Sequence, residues 1–180
     1  MMKKIALAVL LASGLMAADS GFYVGADVGN TAMDFTIVLN GESTTVNDDG
    51  GSQTLKVGYY FDENNRASAF FQNVNVDGGE GRTYGLGYDY LIGNNEFKPF
   101  IGLLLGHGSI AIDGTSVDIA GMTYGAQIGL NYSFNENISA ELGYRYMKSN
   151  MEDSISGPGG TATFEVDTIK NLFLGVNYKF

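Results

Sequence analysis

The residues with the chemistry of a hydrolytic site are His107 and Ser109. His107 is the one histidine in the 180 residues, and Ser109 lies two positions later, so on a β-strand both side chains would share a face. An imidazole beside a hydroxyl can activate it as a nucleophile, and Asp113 or Asp118 would supply the acid. The alternative is an interfacial histidine at the end of a strand. Because the sequence shows no other part of a hydrolase motif, we favour this alternative and expect no catalytic residue.

Six charged residues form the second group of interest, because each lies in a segment that otherwise alternates between glycine or polar residues and apolar ones. They are Asp27, Lys56, Asp89, Glu141, Arg145 and Lys179. A charge buried in a protein interior costs several kcal/mol unless it is paired. The expected pairs join one of two acids, Glu141 or Asp89, to one of three cations, Arg145, Lys56 or Lys179.

Metal and cofactor sites are not predicted. The chain has no cysteine, and the acidic stretches at 47–51 and 151–154 lack the regular oxygen spacing of a calcium loop. The Gly-x-Gly occurrences alternate along strands and form no phosphate loop with Lys-Ser/Thr. A formal net charge of −10 argues against nucleic acid as a partner, since that affinity depends on a basic surface.

The elements that would position these residues are β-strands. Period-2 alternation dominates the chain and predicts eight strands, whereas long helix-period segments are missing. The predicted strands span residues 21–29, 53–61, 66–75, 82–91, 98–107, 124–134, 138–147 and 171–180, with the last starting as early as 165. The apolar face of the third strand stays open between two sets: Ala67, Ala69 and Phe71, or Phe70, Val74 and Val76.

Short and long connections alternate between these strands. Turns rich in Asn and Gly occupy 62–66, 93–96 and 135–137, whereas longer polar segments occupy roughly 30–52, 75–82, 107–122 and 148–166. All short turns therefore fall at one end of an up-and-down meander, which is typical of outer-membrane barrels. Alternating apolar residues in "MDFTIVLNG" and "SIAIDGTSVDIAG" further predict strands that project above the membrane.

The apolar face is predicted to contact lipid. Even-numbered strands end at the short turns on aromatic pairs, which predicts a periplasmic girdle: Tyr59, Phe61, Tyr88, Tyr90, Tyr132, Phe134, Tyr178 and Phe180. The interior of an eight-stranded barrel is just wide enough for side chains to fill, so these rings would overfill it. The six charges then point inward. There we expect an electrostatic plug, and the small interior disfavours the alternative of an ion or proton path.

The predicted fold is thus an all-β, eight-stranded antiparallel up-and-down transmembrane β-barrel, with short periplasmic turns and long extracellular loops. We expect it to occupy residues 19–180. Residues 1–18 read as a cleaved signal peptide, because Lys3 and Lys4 precede an apolar stretch too short to span a membrane, and Ala17-Ala18 follow it.

Three stretches carry a resemblance to a known family. "ELGYRYMKS", "LGVNYKF" and "KPFIGLLLGHG" resemble the small outer-membrane barrels typified by the OmpA transmembrane domain and OmpX. The resemblance implies a location in the cell outer membrane and a terminal signal for the barrel-assembly machinery, matched by Gly175, Tyr178 and Phe180. Phe173 departs from that signal, which more often has a polar residue there. His107 and Ser109 also resemble the His-x-Ser pair of lipid A deacylases, but Ile110 replaces the asparagine that usually follows.

The function expected from the sequence is a structural or surface-interaction role through the external loops, with a charge-plugged lumen. The alternative is a small pore or carrier for small solutes, and a more remote one is a lipid A-modifying hydrolase. The expected partners are outer-membrane lipid and lipopolysaccharide, the assembly machinery during biogenesis, and a host or cell-surface ligand at the loops. We expect a monomer without a cofactor.

Overall fold

The computed structural model describes residues 20–39, 42–76, 79–112, 118–157 and 160–180. The proposed signal peptide at 1–18, Asp113 and the side chain of Asp118 lie outside the described residues. The described residues form eight strands: β1 (Gly21–Leu39), β2 (Glu42–Tyr60), β3 (Asn65–Val76), β4 (Gly79–Leu91), β5 (Phe97–Ile112), β6 (Asp118–Ser133), β7 (Ile138–Gly157) and β8 (Gly160–Lys179). No helix in these ranges is long and apolar enough to cross a membrane.

The eight strands close into one antiparallel barrel. Each strand pairs with the next along the chain, and β8 returns to pair with β1, so that Lys179 lies opposite Tyr23. The turns at one end are short and held by their own side chains. In one of them, Asn135 Oδ1 accepts hydrogen bonds from the N–H groups of Asn137 and Ile138 at 2.9 and 2.8 Å. The predicted fold class is confirmed.

The segments predicted as long extracellular loops are mostly continued strands. β1 and β2 remain paired as far as Leu39 and Glu42, well beyond the predicted strand ends. The β-branched residues of "TIVL" and "STTV" explain this, because such residues favour extended backbone. The strands expected in "MDFTIVLNG" are therefore present as far as Leu39. In "SIAIDGTSVDIAG", β5 extends to Ile112 and β6 begins at Asp118, and residues 113–117 lie outside the described residues.

The barrel wall has two heights. β1, β2, β7 and β8 are 19 or 20 residues long, whereas β3 and β4 have 12 and 13. The four long strands are neighbours in the closed sheet, in the order β7-β8-β1-β2. Together they form a four-stranded wall that rises above the short strands at the end opposite the short turns.

Alternation sets which side chains face outward. The outward face carries exposed apolar residues along every strand, such as Leu55 at 65% and Leu103 at 68% relative exposure. In β3 the outward set is Ala67, Ala69 and Phe71, while Phe70 and Val74 are buried inside. The open question about the third strand is thereby answered. A continuous apolar belt of this kind is stable against lipid and would aggregate in water.

Candidate functional site

The aromatic residues predicted as a girdle all lie on the outer surface next to the short turns. Three neighbouring pairs along a strand form edge-to-face contacts: Tyr59–Phe61 at 5.6 Å, Tyr132–Phe134 at 5.1 Å and Tyr178–Phe180 at 5.1 Å between ring centroids. Two outward rings outside the predicted set join them, Phe22 against Tyr59 and Phe97 against Tyr132. Rings at this level suit a membrane–water interface, where one edge is apolar and the other is wet.

The interior begins with an aromatic layer near the short turns. Its buried members are Tyr23, Tyr60, Leu91, Phe100 and Phe173. Each of three inward rings lies directly opposite a glycine of the neighbouring strand: Tyr23 and Gly58, Phe100 and Gly129, Phe173 and Gly143. A Cβ on any of these glycines would collide with ring atoms of its partner. Inward glycine therefore makes room for rings, and not only for the charged side chains expected there.

A charged layer lies beyond the aromatic one. Its members are three acids, Asp27, Asp89 and Glu141, and three cations, Lys56, Arg66 and Arg145. Lys56 Nζ lies 2.9 Å from Asp27 Oδ1 and 2.8 Å from Glu141 Oε2. Arg66 contacts both Asp89, at 2.9 Å, and Glu141. With equal numbers of each sign, the layer is formally neutral, as a buried cluster must be to persist.

Arg66 is the functional residue that sequence reasoning missed. It is 1% exposed, and its guanidinium carbon lies 5.4 to 5.7 Å from the rings of Tyr23, Tyr60 and Phe100. The arginine escaped notice because β3 has apolar residues on both faces, so its inward set was undecided. The available signal was its position in register opposite Asp89, one of the six predicted charges.

The other predicted charges are placed differently from expectation. Arg145 approaches Asp27 at 3.5 Å and donates from Nε to Gln127 Oε1, while Gln127 donates to Asp89 at 2.6 Å. Arg145 therefore does not pair directly with Glu141 or Asp89 as expected. It pairs with Asp27, and the side-chain amide of Gln127 connects it to Asp89. Lys179 lies at the periplasmic mouth with Nζ 5.5 Å from the Tyr60 ring, outside the central layer.

Beyond the charges, toward the tall end, the interior is mainly apolar, although the polar side chains of Gln72, Thr83 and Thr123 are also buried there. The buried apolar residues of this layer are Met33, Phe70, Val74, Leu104, Ile110, Ile119, Met147, Met151, Val166 and Ile169, none more than 5% exposed. A polar set separates the two layers, in which Asn171 donates to Thr31 Oγ1 and Ser52 Oγ, both at 2.8 Å. The inward face was expected to be glycine-rich with a few charged residues, so this apolar layer is an addition that the sequence did not predict. It begins within the belt, where Leu104 lies between the outward residues Leu103 and Leu105, and continues upward to residues such as Met151 and Val166.

His107 and Ser109 both point outward from β5. The imidazole lies opposite Tyr84 of β4, with 5.5 Å between ring centroids, and opposite Met122 of β6. Among the described residues no carboxylate hydrogen-bonds His107, and no cluster of acids, histidines or cysteines could hold a metal ion. The geometry is that of an aromatic residue at the upper edge of the belt.

The residues of the predicted assembly signal lie on both faces of the barrel wall, at the end of β8 and directly after it. Tyr178 and Phe180 belong to the outer girdle, while Gly175 faces inward opposite Asp27, where a Cβ would collide with the carboxylate. Phe173, the departure from the usual pattern, is buried in the aromatic layer, and the Arg145 guanidinium lies 4.7 Å from its ring. An apolar residue is therefore required there by packing.

Comparison with known proteins gives one family and several solved structures with a similar fold. Residues 5–180 match the family described as "Outer membrane protein beta-barrel domain". An uncharacterized protein of Haemophilus influenzae is 25% identical over 177 residues, covering 84% of this chain and 94% of that one. Among solved structures, OprG of Pseudomonas aeruginosa has a TM-score of 0.64 at 19% identity, covering 90% of this chain and 97% of that one. Neisserial surface protein A has a TM-score of 0.61 at 20% identity, covering 89% and 99%. OprH from P. aeruginosa, solved in micelles, has 0.58 at 24%, also covering 89% and 99%.

Proposed function

This chain belongs to the outer membrane protein β-barrel domain family and lies in the outer membrane, and from that premise we propose that it is a closed barrel acting through its projecting strands. Its role is structural contact and surface interaction, carried by the tall wall of β7, β8, β1 and β2. The membrane-spanning body anchors that wall and holds its strands in register.

The single observation that carries this proposal is the filled interior. Aromatic, charged and apolar layers follow one another along the barrel axis, and the large side chains in all three are nearly inaccessible. An ion would have to separate paired charges and then cross a layer of mainly methionine, valine and isoleucine side chains, where only a few buried hydroxyl and amide groups could replace its water. The same packed interior disfavours the alternative of a pore or carrier.

Lipopolysaccharide contact is supported by cations just above the belt. Arg82 lies one outward position above Tyr84 toward the tall end, and Lys148 lies one above Tyr146. Lys170 of β8 lies opposite Tyr146. Two of these cations already hold carboxylates, since Arg82 lies 2.6 Å from Glu80 and Lys170 2.8 Å from Asp34. Paired cations and acids at this height would suit contact with the phosphate groups of lipopolysaccharide and the divalent cations that bridge them.

The test has two arms. In planar bilayers we expect no steady conductance from the purified protein, with a porin reconstituted in parallel as the positive control. In the second arm, residues 32–49 are replaced by Asn-Gly, a turn suited to joining the paired residues Thr31 and Gly50. Bacteria carrying this shortened barrel should adhere less to cultured epithelial cells and to one another. Steady conductance, or unchanged adhesion at equal surface levels, would overturn the proposal.

A further inference from the structure

The upper part of β2 has a neighbour on one side only. Residues 42–50 pair with β1 throughout, from Glu42 opposite Leu39 to Gly50 opposite Thr31. Pairing with β3 begins only at Gly51, which lies opposite Asn75. Within the described residues no strand covers the β3 side of residues 42–50, because β3 is 12 residues long and β2 is 19. The barrel is closed below this level, but its tall wall has an open strand edge.

The register shows which backbone groups lie on that open edge. At the other end of β2 the N–H of Phe61 donates to Asn65 O at 2.8 Å, so odd-numbered residues of β2 direct their N–H and C=O toward β3. The β1–β2 register has no shift, and this alternation therefore continues upward to Ser43, Thr45 and Asn47. At Asp49 the free N–H is taken up by the neighbouring side chain, Asp48 Oδ1, at 2.9 Å.

The open edge also has the side chains of a strand that could accept another strand. Thr44, Thr45 and Val46 are β-branched, and all residues from 42 to 47 are exposed. No lysine, arginine or proline blunts the edge, although such residues are the usual protection of free edges. Its charged residues are all acidic: Glu42, Asp48 and Asp49.

The charges decide between two occupants of the edge. A second copy of the chain would bring an edge with the same three acids and no cation beside this one, and in the antiparallel pairing centred on Thr45 it would place Glu42 opposite Asp48 twice. Like charges directly opposite each other destabilise a strand pair. An extended segment with lysine or arginine side chains would instead find an acid near each end of the edge.

We propose that residues 42–50 of β2 bind a basic, extended segment of another protein by β-strand addition. The inference rests on the surface-interaction role proposed above and names its surface and its class of partner. Backbone hydrogen bonds at Ser43, Thr45 and Asn47 give the binding, and Glu42, Asp48 and Asp49 select a basic segment.

The experiment uses the full barrel in zwitterionic micelles and a synthetic peptide of alternating threonine and lysine, equal in length to residues 42–50. Fluorescence anisotropy gives the affinity, and hydrogen exchange followed by NMR gives the amides that become protected. We expect protection at Ser43, Thr45 and Asn47. Thr45→Pro removes one edge N–H without touching the β1 ladder and should weaken binding by about tenfold. Thr45→Ala keeps the N–H and should bind as the wild type does.

Three results would overturn the inference: no binding by the wild type, equal binding by Thr45→Pro, or equal binding of a threonine–glutamate peptide. Heat-dependent gel migration identical to the wild type shows that Thr45→Pro has folded. Dimerisation that Thr45→Pro abolishes would assign the edge to a second copy instead. These outcomes are separate from those of the conductance and adhesion arms, so the edge proposal can fail while the closed-barrel proposal stands.

Discussion

Arg66 and Asp89 lie directly opposite each other on β3 and β4, and their side chains meet inside the barrel with 2.9 Å between Nε and Oδ2. Arg66 also contacts Glu141 of β7 and donates to Tyr60 Oη at 3.0 Å. One guanidinium thus joins three adjacent strands, β2, β3 and β4, to β7 across the lumen. Such a contact specifies register, because a shift of β3 by one residue would turn Arg66 outward.

Removal of this guanidinium tests how much the charged layer contributes to stability. We expect Arg66→Met to lower the free energy of unfolding by about 3–5 kcal/mol, since it leaves two carboxylates with an unmatched buried charge. The matched control is Arg82→Met, which breaks an exposed pair with Glu80 and should cost about 0–1 kcal/mol. Urea unfolding in phospholipid vesicles measures both. Equal effects from the two variants would show that the buried network is not a stability element.

The packing of the Phe173 ring against Gly143 gives a second prediction, about the stability of the barrel. A Cβ added to Gly143 would lie 2.8 Å from Cε1 of that ring, so Gly143→Ala should destabilise the barrel by about 1–3 kcal/mol through overpacking. Phe173→Leu in the same chain should recover part of the loss, although alone it is also destabilising. A double-mutant cycle from unfolding curves gives the coupling. Additive effects would mean that the ring and the glycine do not act as a pair.

Sequence alternation was sufficient for the wall of the barrel but not for its filling. Residues such as Leu55 and Leu103 alternate with small or polar neighbours, so their outward direction followed from period alone. In β3 both faces have apolar residues, because Phe70 and Val74 belong to the inner apolar layer. The period-2 pattern then does not distinguish the inward face of β3 from its outward face. For this reason the inward position of Arg66 was missed together with those of Phe70 and Val74.

The partners inside the lumen needed three-dimensional information as well. Asp27 and Arg145 are 118 residues apart, and only the tilt and closure of the strands bring them together. Gln127, which bridges Arg145 to Asp89, carries no charge and gave no signal in the sequence. The alternation along β8 predicts that Phe173 points inward. That its ring lies over Gly143, however, follows only from the register of β7 with β8.

The turn at Asp62 links stability to pH. Its carboxylate accepts from the N–H groups of Asn64 and Asn65, at 2.8 and 2.7 Å, and the Asn64 bond is the main reason that the pKa of Asp62 lies below its usual value. A pKa lowered by folding stabilises the folded state above the unfolded pKa of about 3.9, and this stabilisation disappears as the pH falls through the folded value.

Two substitutions of Asp62 separate the charge from the turn. Asp62→Asn keeps an uncharged Oδ1 acceptor, so the stability advantage of the wild type over this variant should shrink as the pH falls below about 4. Asp62→Ala loses the acceptor and should be less stable than the asparagine variant at every pH. Thermal unfolding across a pH series measures these differences. Parallel curves for the wild type and Asp62→Asn would contradict the assignment.

Phe180 and Phe134 form a natural pair for testing the assembly signal. Each ring contacts the tyrosine two residues before it edge-to-face at 5.1 Å, and both are more than half exposed, at 70% and 62%. Their contributions to the periplasmic girdle should therefore be alike. Only Phe180 directly follows β8, in the segment where the resemblance implies that the assembly machinery reads the chain.

We expect Phe180→Ala to lower the amount of folded protein in the outer membrane severalfold in cells, while Phe134→Ala leaves it near the wild-type level. Heat-dependent gel migration of outer-membrane fractions measures the folded amount. Refolding of both purified variants into phospholipid vesicles, without the assembly machinery, should give equal yields because the lost girdle contacts match. If Phe134→Ala lowers the level in cells as much as Phe180→Ala does, the terminal ring acts through the girdle and not through recognition. If Phe180→Ala also fails in vesicles, its defect lies in folding itself.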